Sequence, residues 1–357
     1  GLGQGCGGAP QSFFSASVLM INSYKRLGHG TRYVSRGPSC LSGVFFFLAA
    51  IIYVDDTDLL FRIRRLLDTE KDFVRQIQAA LWDWAMIVMA TGGYLKQKKC
   101  YVSLSYFHFK NGKARLKKKG QLDTTPLMIP QPTGPDLPIP IIGPEESRET
   151  LGVLTNGAGT SDDHLAEIVR KGMEWSERLR SHGYIKARDG WLSFQIQLKP
   201  KLEWGLICLN SPPAKVDEEL GRLYFNSLSA LGINRNIAKE YRDLPEMYQG
   251  LGMFNLNVDN LGARIYFIRK NWGLDTAVGH LLRHAYETFQ MDVGLDGNIF
   301  SRDFDALEYL AEHSWFKVTW NLCWHFKVVL RLEASTDIPI TQQGDKSLVE
   351  MFLDDGR

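Results

Sequence analysis

An apolar run that ends in two adjacent aspartates constrains this 357-residue chain more than any other feature. Residues 44–54 are all apolar, and Asp55 and Asp56 follow directly. The run is about half of the roughly 20 residues that a membrane-spanning helix needs, so we expect no membrane partner. Its β-branched and aromatic residues favour buried strands. Because a second apolar stretch begins at Leu59, we predict a β-hairpin with the acids at its tip.

Two neighbouring carboxylates repel each other, and a divalent cation offsets that repulsion. Mg²⁺ binds carboxylate oxygens and keeps coordination positions for substrate phosphates. Two such ions about 4 Å apart activate a hydroxyl nucleophile and stabilise a leaving pyrophosphate. The pattern therefore favours a Mg²⁺ site at Asp55 and Asp56, with Mn²⁺ as the alternative ion. The simpler alternative is a solvated turn, in which aspartate is common.

A helix is predicted to follow the hairpin from about Thr69. Thr69 and Asp72 have the spacing of a capping box, and Gly92 and Gly93 supply a stop. Apolar residues recur every three or four positions between them, which places them on one helix face. These residues are Phe73, Ile77, Leu81, Trp84 and Val88.

Turn and proline signals divide the rest of the chain. Asn111-Gly112 lies between two extended runs and predicts a second hairpin. Seven of the 14 prolines lie between Pro126 and Pro144, which we interpret as a linker without regular structure. The predicted organisation is a first domain over 1–125, a linker over 126–150 and a mostly helical region over 151–357. Within that region, helices are predicted at 161–182, 216–231, 260–290 and 304–334 from apolar periodicity and turn residues.

The charge balance excludes a strongly basic protein that coats nucleic acid, because 42 Lys and Arg face 40 Asp and Glu. The basic residues between Lys96 and Lys119 are suited to follow a phosphate backbone, and a solvated hairpin is the alternative interpretation. Five scattered cysteines without a CxxC pair indicate a reducing compartment. We therefore expect an intracellular protein of the nucleus or cytoplasm.

Four segments resemble reverse transcriptases, and they occur in the order found in that family. YVDD, residues 53–56, resembles the YxDD box. Before it, GLGQGCGGAP is similar to the QG…P loop; after it, GGYLKQKKC is similar to the G-x-x-L-x-x-x-K-C stretch. ETLGVLT resembles the LG hairpin that grips the primer end. A looser similarity of LPEMYQGLGMFNL to a GGLG-like stretch points to LINE-type, non-LTR retrotransposons.

The resemblance implies an α+β fold. It consists of a partial polymerase palm, with the YVDD hairpin in an antiparallel sheet and a backing helix, followed by a mostly helical, thumb-like domain. The implied partners are an RNA template, a DNA primer and a deoxynucleotide, with other parts of the retroelement polyprotein as further candidates. The implied site residues are Asp55 and Asp56 as metal ligands, Lys99 at the pyrophosphate, Gly3, Gln4, Gly5 and Tyr53 at the template and nucleotide, and Leu151 and Gly152 at the primer.

The family also has a third metal-binding aspartate on a strand before the QG loop, and this chain starts at that loop. We therefore expect a palm that is truncated at its N-terminal side. Two functional hypotheses follow. The first is RNA-directed DNA synthesis with two Mg²⁺ ions; Gln4 and Lys99 favour it over the DNA and viral RNA polymerases that also carry acidic boxes. The second is a non-catalytic retroelement remnant that at most binds nucleic acid.

Overall fold

The computed structural model contains two compact units, which meet in the chain between Glu146 and Ser147. We call them the N-terminal unit and the C-terminal unit. Both contain helices and strands, which confirms the α+β class. The residues that the structure describes are 9–34, 45–53, 56–62, 69–110, 113–122, 125–182, 185–229, 231–253, 255–294 and 297–332.

The N-terminal unit combines two long helices with paired short strands. The helices are α1 (Ala9–Arg26) and α2 (Glu70–Ala90). Four strand pairs are antiparallel: β1 (Thr31–Val34) with β2 (Phe45–Leu48), β3 (Ala50–Tyr53) with β4 (Asp56–Leu59), β6 (Phe107–Lys110) with β7 (Lys113–Leu116), and β8 (Leu127–Ile129) with β9 (Leu137–Ile139). The fifth pair, β5 (Val102–Ser103) with β10 (Ile141–Ile142), is parallel.

Helix α2 begins and ends as predicted. The Thr69 hydroxyl accepts the backbone N–H of Asp72, and the Asp72 carboxylate accepts the backbone N–H of Thr69, so the capping box is complete. At the other end, Gly92 adopts a φ of +84°, which is unfavourable for other residues. Four of the five residues on the predicted apolar face are buried, and Val88 is partly buried. The buried four are Phe73, Ile77, Leu81 and Trp84.

Both predicted hairpins are confirmed. In β3–β4, Tyr53 is paired with Asp56, which lies three positions later in the chain. In β6–β7, Lys110 is paired with Lys113, again three positions later. The turn residues themselves lie outside the described part of the chain.

The prediction that residues 126–150 form an irregular linker is wrong. This stretch contains β8, β9 and β10, and Ile129 and Ile139 are at most 1% exposed in the core of the N-terminal unit. Pro138, opposite Met128 in the β8–β9 pair, has no N–H to donate. Met128 does not need an N–H from Pro138, because its backbone groups bond to the side chain of Gln78 on α2. The Gln78 side chain accepts the Met128 N–H and donates to the Met128 carbonyl oxygen, both at 2.7 Å.

The C-terminal unit begins with a hairpin and continues in helices. Strands β11 (Arg148–Thr150) and β12 (Val153–Thr155) are antiparallel. The helices are α3 (Asp162–Ser181), α4 (Ala187–Ser193), α5 (Lys199–Glu203), α6 (Pro213–Leu228), α7 (Lys239–Asp243), α8 (Leu256–Asn271), α9 (Ala277–Val293), α10 (Phe304–Leu307) and α11 (Trp315–His325). The predicted helical segments at 260–290 and 304–334 therefore each contain a break.

Arg264 lies at the centre of the C-terminal unit and is fully buried. Its guanidinium donates to neutral acceptors, among them the carbonyl oxygens of Leu209 and Trp315, both at 2.7 Å. Burial lowers its pKa to about 9. These bonds connect the segment after α5 to α8 and α11, because Arg264 belongs to α8 and Trp315 begins α11.

We expect Thr69→Ala to lower the free energy of unfolding by about 1 kcal/mol, because it removes the side-chain acceptor at the start of α2. Chemical denaturation measures the change. Thr69→Ser keeps the hydroxyl and is the matched control, expected to lie within a few tenths of a kcal/mol of the natural chain. Equal losses in both variants would contradict a capping role for the hydroxyl.

We expect the contribution of Asp259 to the free energy of unfolding to fall as pH rises from about 4 to 6, because burial and then the charge of Glu203 raise the pKa of Asp259 to about 6. The folded state binds this proton more tightly than the unfolded state does, so the stabilisation is lost as pH passes the raised value. In Asp259→Asn, the decrease in the free energy of unfolding between pH 4 and pH 7 should be smaller by about 1 kcal/mol. Denaturation curves at pH 4 and pH 7 for both chains test it; parallel pH profiles would contradict it.

Candidate functional site

The β3–β4 hairpin places the acidic pair of the YVDD segment at and beside its turn. Asp56 is the first residue of β4, is exposed and lies opposite Tyr53 in the register. Val54 and Asp55 form the two-residue connection and lie outside the described residues, as does the side chain of Tyr53. The predicted place of the acids at the hairpin tip is therefore confirmed for Asp56.

The two faces of this hairpin differ in polarity. Ile52 and Leu59 pack against the cluster that contains Ala80 and Trp84 of α2. On β4, Asp56 and Asp58 are exposed whereas Thr57 and Leu59 are half-buried, because successive strand residues point to opposite faces. Helix α2 thus supports the apolar face of the hairpin and leaves the carboxylates towards solvent.

Asp58 joins Asp56 on the exposed face of β4. Although part of the Asp58 side chain is exposed, desolvation of its carboxyl, followed by the negative charge of Asp56, raises the pKa of Asp58. The two carboxylates are therefore close enough to repel each other, and a bound cation would relieve that repulsion. Asp58 has no role in the motif resemblance. Its position two residues after Asp56 in a strand is the sequence signal that would have placed the two acids on one face.

Among the residues that the structure describes, no group of three His, Cys, Asp or Glu side chains is arranged to hold a metal ion. Asp55 is not among those residues. On the exposed face of β4, Asp56 and Asp58 are the described carboxylates that could bind a cation. Carboxylate oxygens are the ligands that Mg²⁺ prefers.

Lys99 lies in a short 3₁₀ turn (Gln97–Lys99) after α2 and is exposed. The Gln97 side-chain amide donates to the carbonyl oxygen of Pro138, which fastens this turn to β9. The proline-rich segment thus positions the turn that carries the predicted pyrophosphate-facing lysine, a relation that sequence reasoning missed.

The basic stretch around Lys99 is free of acidic residues: residues 84–122 contain nine Lys and Arg and no Asp or Glu. Two of these cations are paired with acids elsewhere in the same unit. Lys117 is 2.6 Å from Glu70, and Lys119 is 2.9 Å from Glu146. Lys98, Lys99, Lys110, Arg115 and Lys118 are exposed.

The predicted LG hairpin is confirmed as a hairpin in the C-terminal unit. Leu151 and Gly152 connect β11 to β12 with φ angles of +52° and +81°. Two positive φ angles are typical of the type I′ turn, whose twist matches that of the flanking strands. The indole N–H of Trp204 donates to the Leu151 carbonyl oxygen at 2.8 Å and holds the turn. A role at a primer end stays a prediction.

The remaining predicted site residues, Gly3, Gln4 and Gly5, lie outside the described residues. In the part of the chain that is described, no helix is long and apolar enough to cross a membrane.

No protein-family model, curated protein or solved structure matches this chain. The resemblance to reverse transcriptases therefore depends on the sequence motifs.

We expect both Gly152→Ala and Gly159→Ala to lower the free energy of unfolding. The loss in Gly152→Ala should be larger by about 1 kcal/mol. Both glycines have positive φ angles, +81° and +73°, so the backbone cost is shared. A Cβ at residue 152 would approach the Trp204 indole nitrogen to 3.0 Å, whereas at residue 159 it would meet open space. Chemical denaturation of both variants measures the difference; equal losses would contradict a tight Trp204 contact.

Proposed function

We propose that this chain carries polymerase segments of a non-LTR retroelement and takes part in RNA-directed DNA synthesis. The observation that supports this most is the β3–β4 hairpin. Its register pairs Asp56 with Tyr53, so the YVDD segment joins the two strands of a hairpin whose apolar face packs against α2. That geometry agrees with what the YxDD resemblance implies.

In this proposal Asp55 and Asp56 hold divalent metal, which supplies activation of the primer hydroxyl and charge neutralisation when bound. The primer 3′-hydroxyl gives its proton to solvent, its oxygen forms a bond to the α-phosphorus of the nucleotide, and the bond from that phosphorus to the pyrophosphate oxygen breaks, so that pyrophosphate leaves. Lys99 neutralises charge on the departing pyrophosphate. Gly3, Gln4, Gly5 and Tyr53 contact template and nucleotide, and Leu151-Gly152 contacts the primer.

The test is primer extension on an RNA template with Mg²⁺, repeated with Mn²⁺. We expect Asp55→Asn to lower incorporation by at least about 100-fold, because a charged metal ligand is lost. Asp136→Asn, in a loop of the same unit, is the matched control and should retain activity. Incorporation that is equal in the Asp55→Asn variant and the natural chain would refute this assignment of the metal ligand.

A second candidate function, binding of nucleic acid without catalysis, is favoured by the acid-free basic stretch 84–122. The same protein preparation separates the two. Salt-dependent binding of an oligonucleotide without incorporation, with either metal ion, would support binding alone and contradict the polymerase proposal.

A further inference from the structure

The β6–β7 hairpin exposes two phenylalanines on one face. Phe107 and Phe109 are two positions apart on β6 and therefore point the same way; they are 55% and 79% exposed. Their cross-strand partners are Leu116 and Ala114, so the pairing joins apolar residues along this face. Adjacent exposed apolar side chains that form one continuous strip are typical of a binding surface.

The charge of the hairpin restricts what can cover that strip. The opposite face carries Lys110 and, in register with His108, Arg115. Both cations are exposed, and neither has an ion-pair partner among the described residues. No acidic residue lies within residues 84–122 to neutralise them locally. The surface therefore suits an anionic occupant with flat apolar parts.

We propose that the β6–β7 hairpin binds single-stranded nucleic acid, with unpaired bases stacked on Phe107 and Phe109 and phosphates at Lys110 and Arg115. Aromatic side chains beside cations are the common means of holding single strands without sequence preference. The two rings are attached about 7 Å apart along β6, which separate, unstacked bases can use. A duplex keeps its bases stacked inside and offers none to the rings.

In this proposal, Lys110 and Arg115 contact the phosphates of the strand around the edge of the hairpin. The hairpin is only two strands wide, about 5 Å between strand axes, and long Lys and Arg side chains extend past its edge. The inference does not depend on catalysis, because it uses none of Asp55, Asp56 or Lys99.

The test is fluorescence anisotropy of a labelled, mixed-sequence single strand of about 12 nucleotides, within the range of known site sizes, titrated with the full chain. We expect Phe109→Ala and Phe107→Ala each to weaken binding about five-fold or more. Phe109→Trp keeps an aromatic face and should restore binding, whereas Phe109→Leu should not. Phe14→Ala is the matched control, since Phe14 is 68% exposed on α1 of the same unit.

A salt series tests the phosphate contacts. The double variant Lys110→Gln with Arg115→Gln should reduce the slope of log affinity against log salt by about 1.4, from two lost contacts. Lys71→Gln, at an exposed position of α2, should leave the slope unchanged.

Three outcomes would overturn the proposal. Natural affinity in Phe109→Ala would mean that charge alone binds the strand, and natural affinity in Phe109→Leu would mean that stacking plays no part. Light scattering that shows a dimer, lost in Phe109→Ala, would assign the strip to a second copy of the chain. Circular dichroism checks that each variant folds. Loss of primer extension in Asp55→Asn with unchanged anisotropy would separate catalysis from this surface.

Discussion

The buried face of helix α2 is the constraint on which the N-terminal unit depends. One part of it, around Phe73 and Ile77, packs with strand residues such as Ile129 and Ile139. Another part, Ala80 and Trp84, packs with α1 and with the β3–β4 hairpin. Full burial of each large apolar side chain stabilises the fold by about 1.5–3 kcal/mol. The acidic hairpin has its apolar side against this helix, so the exposure of Asp56 and Asp58 is a consequence of where α2 lies.

Charge is unevenly distributed along the sequence of the N-terminal unit, which the net charge of +2 conceals. The acids of β4 share one exposed face, and the acid-free stretch 84–122 supplies cations on the turn after α2 and on the β6–β7 hairpin. The acids on β4 agree with the proposed metal binding. The cations of residues 84–122 agree with the proposed phosphate contacts. The proposed stacking surface adds the apolar component that a single strand requires.

Capping and hairpin signals, in which the partner of a residue lies within a few positions along the chain, predicted their elements correctly, whereas apolar periodicity missed the breaks within residues 260–290 and 304–334. The capping box of Thr69 with Asp72 and the strand pairings on either side of residues 54–55 and 111–112 were predicted from such signals and are observed. The hairpin at Leu151-Gly152, which the family resemblance implied, is observed as well. The proline-rich segment was misassigned because its support is not local. The side chain of Gln78, 50 residues before Met128, satisfies the backbone groups opposite Pro138.

By itself, the sequence determined the position of α2, the β3–β4 and β6–β7 hairpins and the adjacency of Asp55 and Asp56, because caps, turns and periodicity act within one or two turns of chain. Only the tertiary structure decided that residues 126–146 complete the core of the N-terminal unit and that Trp204 holds the Leu151 turn. It also decided that Arg264 is buried among neutral acceptors. These depend on contacts between residues about 50 positions apart, where burial and hydrogen bonding outweigh local preference.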